Sequence, residues 1–339
     1  MAFHAQNILV IDFGQLGDVV MSLPALAALR ARFAESRITA LVGRPGAAVL
    51  EMSGYTDAQV MVDRVALRDG NKAVSVWRIG RLVQEVRRRR FDFVIDLHSL
   101  SETNALGYAS GAAVRLYAPR HGRSLDWLSN FRPAPPPEPV EHERHLVDRY
   151  LDVLQPLGIA NVPREPQLSP RLPDINIVAQ MLQKQGVREG ALMVVLAPGA
   201  GHPGRRWPLA NFAELAHRLH NASLRVVVSL GPEEREMVTE IRATFPREAV
   251  IFDRLTIPQL VALLQRASVF ICNDTGPMHL AAAVGAPVVA LFDRPTPHSY
   301  TPVGTQHQLI FRDSIKNISV GEVHTAALER LARQRVTSF

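Results

Sequence analysis

Along the chain, short apolar runs alternate with longer segments whose apolar residues recur every three or four positions, the pattern of parallel strands joined by crossover helices. Residues 8–11 read as a first strand. Residues 24–33 read as a helix with Pro24 in its first turn, where a missing N–H costs nothing. Residues 38–42 and 59–62 read as further strands. Val76, Ile79, Val83 and Val86 mark a helix that runs into Arg87, Arg88, Arg89 and Arg90 and on to a strand at 91–97. The four arginines read as a solvated cap, since cations at a helix C-terminus complement its dipole by about 0.3–1 kcal/mol.

The alternation breaks at 119–145, where arginines, histidines and prolines predict an irregular loop that cannot supply a core. A helix at 147–155 closes the first half, and the proline-bearing stretch 163–173 reads as a linker. Strands are then expected at 193–197, 224–230, 249–252, 269–272 and 287–292, and helices at 175–185, 209–220, 233–244, 258–267 and 277–284, with a last amphipathic helix at 319–333. The fold class is therefore α/β, in two halves of similar size with a ligand cleft expected between them. The expected divisions are 1–168, 169–315, and a terminal segment 316–339 that packs back onto the first half.

Composition narrows the functional classes. The chain has 339 residues, 47% hydrophobic and 21% charged, which fits a two-domain globular protein and excludes a disordered or collagenous one. No apolar run is long enough to span a bilayer, and the N-terminus lacks the charge pattern of a signal peptide. Cys272 is the single cysteine, so an internal disulfide is excluded and a reducing, cytoplasmic compartment is expected. The net charge of +6 comes almost wholly from arginine, the lysines being Lys72, Lys184 and Lys316. Codon bias explains that preference as well as a binding role does; the functional reading is an anionic partner.

Four strand ends carry candidate chemistry. After the first strand come Asp12, Phe13, Gly14, Gln15, Leu16, Gly17 and Asp18, which lack the first glycine of the dinucleotide fingerprint and so disfavour a nicotinamide enzyme. Asp18 suits a general base, or alternatively caps a helix. Asn273, Asp274, Thr275, Gly276, Pro277, Met278 and His279 lead from a strand into an alanine-rich helix; such a turn presents free amides to a diphosphate, or is a well-capped core helix. Residues 198–208 offer glycines beside Arg205 and Arg206 for phosphate oxygens, or form a solvated basic loop. Glu233 follows another strand end and reads either as a ribose acceptor or as a surface residue. The asymmetry describes a nucleotide held by the second half and a lone acid facing it from the first.

At these residues the chain resembles the bacterial heptosyltransferases of glycosyltransferase family 9. The resemblance rests on Gly17-Asp18-Val19-Val20 with Ser22-Leu23-Pro24-Ala25-Leu26, on Val94-Ile95-Asp96-Leu97, on Pro198-Gly199-Ala200 with Arg206-Trp207-Pro208, and on Asn273 to Leu280, in order over nearly the whole chain. It implies the two-Rossmann GT-B architecture. It also implies inverting transfer of heptose from an ADP-heptose donor to the lipopolysaccharide inner core, with no cofactor and no metal. By that resemblance Asp18 is the base, Asp274, Thr275, Gly276, Pro277 and His279 meet the donor diphosphate, and Arg205 stands where the family often has lysine. Relatives commonly read F-G-P-T where this chain has Phe292, Asp293, Arg294, Pro295 and Thr296. Arg115, Arg120 and Arg123 are the expected acceptor-binding residues, and the basic balance leaves open a peripheral contact with the inner face of the cytoplasmic membrane. The rival readings are a non-hydrolysing nucleotide-sugar epimerase and a non-catalytic, arginine-rich binder of anionic surfaces. No recognition helix or aromatic stacking series supports nucleic acid as the partner.

Overall fold

The first alternation of strand and helix builds a five-stranded parallel sheet from β1 (Asn7–Asp12), β2 (Arg37–Gly43), β3 (Ala58–Val62), β4 (Phe93–Asp96) and β5 (Val114–Tyr117), in the order β3-β2-β1-β4-β5. The helices between and after them are α1 (Leu16–Arg32), α2 (Arg44–Ser53), α3 (Lys72–Arg88), α4 (Ser101–Ala109) and α5 (Leu146–Leu154). These are the elements of a computed structural model that describes residues 3–63, 72–137, 144–293 and 298–337. Part of the expected proline-rich loop (138–143) and the stretch Arg294, Pro295, Thr296 lie outside the described residues.

The second alternation builds a six-stranded parallel sheet from β6 (Met193–Ala197), β7 (Arg225–Ser229), β8 (Val250–Phe252), β9 (Val269–Asn273), β10 (Val288–Asp293) and β11 (Gln308–Arg312), ordered β11-β10-β9-β6-β7-β8. Its helices are α6 (Leu172–Lys184), α7 (Leu209–Asn221), α8 (Val238–Thr244), α9 (Ile257–Gln265), α10 (Gly276–Ala283) and α11 (Val320–Thr337). The chain divides into two units between Pro166 and Gln167, inside the proline-bearing stretch. Strands buried on both faces explain the near-continuous apolar runs of the sequence: every residue of β4, β6 and β9 is buried.

The order of strands fixes where chemistry can gather. In the first unit the order reverses between β1 and β4, paired in parallel so that Ile11 faces Asp96. In the second it reverses between β6 and β9, where Ala197 faces Cys272. The loops that leave neighbouring strands in opposite directions open a crevice at the carboxyl edge of each sheet.

Two features differ from expectation. Helix α1 begins at Leu16, eight residues before Pro24, so the proline lies inside the helix and Asp18 falls in its first turn instead of in the loop. The terminal segment belongs to the second unit: Ile315, Ile318, Val320, Val323, Ala326, Ala327 and Leu331 join Val194, Leu196, Trp207 and Phe212 in one apolar core. The physical cause is the apolar stripe of α11, which finds its cover on the sheet next to it, and a hydrogen bond at its entrance, where the Trp207 indole N–H donates to the Ile318 carbonyl at 2.9 Å. Among the described residues no helix is long and apolar enough to cross a membrane.

Trp207 is 1% exposed, so losing its donor leaves the Ile318 carbonyl short of a partner inside the core. We expect Trp207→Phe to lower the unfolding free energy by roughly 1–3 kcal/mol in urea titrations; an unchanged midpoint would show that this bond does not anchor the last helix.

Candidate active site

The first switch point gathers carboxylates. Asp12 ends β1, is 1% exposed, and accepts a hydrogen bond on Oδ1 from the Gly14 N–H at 3.0 Å. Asp18 is half-buried in the first turn of α1, where its Oδ2 accepts from the Gln15 N–H at 2.8 Å, as suits an acid beside the positive end of a helix. Gly14 lies between them: a Cβ there would run into the Asp18 side chain and press on Asp12 Oδ1. Only a residue without a side chain lets the two acids share this corner. Tyr150 on α5, itself 1% exposed, lies close enough to sense both; burial, and then the charges of Asp12 and Asp18, push its hydroxyl well above the usual range, so it stays protonated. Of the two acids, Asp18 is the one that solvent reaches.

Beside them, at the end of β4, Asp96 is fully buried and holds a loop together. Its Oδ1 accepts from the Ser99 N–H and its Oδ2 from Asn104 Nδ2, both at 2.7 Å, while Asn104 Oδ1 accepts from the Leu125 N–H at 2.8 Å. Burial pushes the Asp96 carboxyl up to about 7, although its hydrogen bonds and the Arg120 guanidinium pull the other way. Arg120 is itself buried and donates from Nη2 to the Leu97 carbonyl at 3.2 Å. Arg115 donates from Nε to the Leu128 carbonyl and from Nη1 to the Ala112 carbonyl, and lies over the Tyr108 ring. Arg123 is exposed. The three arginines thus differ in kind: two spend donors on the main chain that shapes the loop, and Arg123 presents its side chain to solvent.

The second switch point gathers opposite charges. Asn273 ends β9 and stitches the two central strand ends together, donating from Nδ2 to the Pro198 carbonyl at 2.8 Å and accepting from the Trp207 N–H at 3.0 Å. Asp274 follows, mostly buried, and Arg205 Nη1 donates to its Oδ2 at 2.9 Å. Burial raises the Asp274 carboxyl, Arg205 opposes the rise, and the charge of Asp293 at the end of β10 adds to it. Thr275 is the N-cap residue of α10, whose first turn carries Gly276 and Pro277. Pro277 has no N–H and the Met278 N–H donates to the Thr275 carbonyl at 3.0 Å, so it is the Thr275 and Gly276 N–H groups, with the positive end of the dipole, that this turn offers to an anion. His279 lies within the helix and is 6% exposed.

The sequence points to Glu233 at the end of β7; the structure leaves Glu233 exposed and turns its neighbour Glu234 inward. A Cβ at Gly199 would collide with the Glu234 carboxylate, whose Oε2 accepts from the Gly231 N–H at 3.0 Å. Arg206 approaches the other oxygen at 3.6 Å. Burial raises the Glu234 carboxyl against the pull of Arg206. The one-residue difference comes from the tight turn Pro232–Met237, whose phase adjacent glutamates do not reveal. The sequence places Asp12 and Asn273 in candidate strand ends and Asp96 in a resemblance block without giving any of them a role, and it does not point to Glu234. The one signal they share is position, each standing at or within a few residues of a strand's carboxyl end.

The likeness to known proteins spans both of these edges. The model of glycosyltransferase family 9 (heptosyltransferase) matches residues 79–327. Lipopolysaccharide heptosyltransferase 3 of Escherichia coli is 25% identical over 281 residues, covering 81% of this chain and 80% of that protein. A solved glycosyl transferase family 9 structure from Veillonella parvula superposes with a TM-score of 0.86 at 22% identity, over 98% of this chain and 99% of that one. The E. coli ADP-heptose LPS heptosyltransferase II superposes with a TM-score of 0.80 at 20% identity, over 97% and 100%. At such identities the two structures speak for the fold, and the fold is the GT-B pair of α/β units.

The Asp96 network carries a pH signature. Its native carboxyl keeps a proton to higher pH than the unfolded chain's does. The stability this group contributes is therefore fully present below the ordinary carboxylate range and is lost as pH rises through about 7. Asp96→Asn has no such titration. The unfolding free energy of the wild type minus that of Asp96→Asn should fall between about pH 4 and pH 7; a flat difference would refute the assignment.

Proposed function

The chain belongs to glycosyltransferase family 9, the heptosyltransferases, and we propose that it transfers heptose from an ADP-activated donor to the inner core of lipopolysaccharide with inversion at the anomeric carbon. The observation that carries the reading is the contrast between the two switch points. One presents a solvent-reachable carboxylate at a helix start, and the other presents Arg205 and the first turn of α10. A carboxylate can take a proton from an acceptor hydroxyl. A guanidinium and a helix N-terminus can take the charge of a departing diphosphate.

The reaction follows as one displacement. Asp18 removes the proton of the acceptor hydroxyl while that oxygen bonds to the anomeric carbon, and the bond from that carbon to the diphosphate oxygen breaks with its electron pair going to ADP. Asp18 suits the base role better than Asp12 because substrate can reach it. The corner it shares with Asp12 and the neutral Tyr150 holds its side chain in place. The charge that grows on ADP falls to Arg205 and to the N–H groups at the start of α10, with no step that calls for a metal ion. Asp274 works through Arg205, holding its guanidinium over the strand end. Glu234, or Glu233 if the turn shifts, accepts from the ribose hydroxyls. Arg123 meets acceptor anions while Arg115 and Arg120 keep its loop in shape. We assign the reaction to the cytoplasmic face of the inner membrane, where nucleotide sugars are spent.

Removing the base should leave donor binding alone. We expect Asp18→Asn to lower kcat by about 10²–10⁴ with calorimetric ADP affinity unchanged; near-normal turnover would remove Asp18 from the mechanism. Arg205→Ala should weaken ADP binding by roughly ten- to a hundred-fold, the worth of a charged hydrogen bond, and unchanged affinity would move the donor site elsewhere. Turnover should survive EDTA, and its loss with recovery on adding back a divalent cation would overturn the metal-free scheme.

A further inference from the structure

Where the chain leaves β4 at the first switch point it passes through a histidine whose two neighbours are held fast. Leu97 donates from its N–H to the Ile11 carbonyl at 3.0 Å, and its own carbonyl accepts from Arg120 Nη2 at 3.2 Å. Ser99 donates from its N–H to Asp96 Oδ1 at 2.7 Å and from its hydroxyl to the Asp96 carbonyl at 2.6 Å, while its Oγ accepts from the Ala118 N–H at 3.0 Å. Leu97 and Ser99 are fully buried; His98, between them, is half-buried and reaches solvent. Ser99 also stands at φ 51°, in the left-handed region that a residue with a side chain seldom occupies. Such a conformation persists only where its surroundings over-determine it, as these hydrogen bonds do, and it collects at sites where a ligand is held. Its effect is a sharp bend directly beyond β4, which leaves His98 at the lip of the crevice before α4 begins at Ser101.

Position and chemistry together say what this imidazole can do. The loops after β1 and β4 leave the sheet in opposite directions, so a molecule in the crevice between them meets Asp18 from one wall and His98 from the other. Asp12 and Asp18, as carboxylates, accept hydrogen bonds and donate none. Asp96 is spent on its own loop, and Arg120 on the Leu97 carbonyl. His98 supplies what the acids lack, a ring N–H that can donate to an oxygen. A sugar offers several hydroxyl groups of similar reactivity, and a base alone does not choose among them. A donor fixed to the oxygen beside one of them does, because it sets which hydroxyl lies against the base. Clamped neighbours on both sides give His98 the fixed backbone that such a task requires.

We propose that His98 contacts the acceptor: its ring N–H donates to a sugar oxygen next to the attacking hydroxyl and so orients that hydroxyl toward Asp18. The proposal rests on the transfer reading above and adds to it a specificity-determining residue. Two measurements on the full chain keep the two apart. Calorimetry with a deacylated lipopolysaccharide core oligosaccharide reads the contact without any transfer, and turnover with ADP-heptose and the same oligosaccharide reads the transfer. His98→Leu should lose roughly ten- to a hundred-fold in oligosaccharide affinity and in kcat/KM for the acceptor, with ADP affinity and the thermal transition unchanged. His98→Gln, whose carboxamide keeps a donor, should recover most of that loss. Equal oligosaccharide affinity in the wild type and His98→Leu would overturn the proposal. So would a loss that His98→Gln shares in full, or one that comes with a lowered thermal transition, since either would make the histidine a packing residue. A wild type that binds the oligosaccharide through His98 and transfers no heptose would uphold the contact and overturn the transfer reading.

Discussion

A parallel strand pair cannot be closed by a tight turn, so every strand of a parallel sheet delivers its carboxyl end to the same edge, and the polar groups that finish the strands are crowded there. Both units of this protein are governed by that constraint. At the centre of the first sheet the finishing residues are Asp12 and Asp96; at the centre of the second, Ala197 is followed by a glycine-bearing loop and Asn273 by Asp274. Burying acids at a strand end is costly unless each is given partners. The partners are what shape the loops: Ser99 and Asn104 for Asp96, Gly14 for Asp12, Arg205 for Asp274, and Gly231 for Glu234.

The two edges solve the same problem with opposite chemistry, and in the proposed reaction that difference divides the work between them. In the first unit, main-chain N–H groups of Gly14 and Gln15 donate to Asp12 and Asp18, and the two acids share their corner with a protonated tyrosine. In the second, arginines answer the acids. The Arg205–Asp274 pair is partly in solvent and adds little to stability on its own. Its consequence is geometric, since it holds a positive group over the helix start where a diphosphate would lie.

Much of the fold was legible because buried parallel strands write themselves as apolar runs. The nine strands expected from the pattern correspond to β1–β4 and β6–β10. Among the described residues the two missed, β5 and β11, are edge strands, and edge strands need not be apolar: β5 carries Arg115, and β11 carries Gln308 and Arg312. The start of α1 is not legible from Pro24, because a proline can be carried inside a well-packed helix as well as in its first turn. The candidates Asp18 and Asp274, each beside a glycine-bearing passage from strand to helix, stand out because glycine and acid together after a strand are unusual. Glu234 and Asp96 do not, since burial and hydrogen-bond direction depend on loops whose path no local pattern gives.

If the carboxyl edge of the second sheet holds the donor diphosphate, as its charge and its helix start suit it to do, a crystal structure of the protein soaked with ADP will show it. Diphosphate oxygens should then lie within hydrogen-bonding distance of the Arg205 guanidinium and of the main-chain N–H groups at the start of α10. Density for ADP at any other place in the chain, with Arg205 still bound to Asp274 alone and that helix start unoccupied, would refute the division of labour between the two edges.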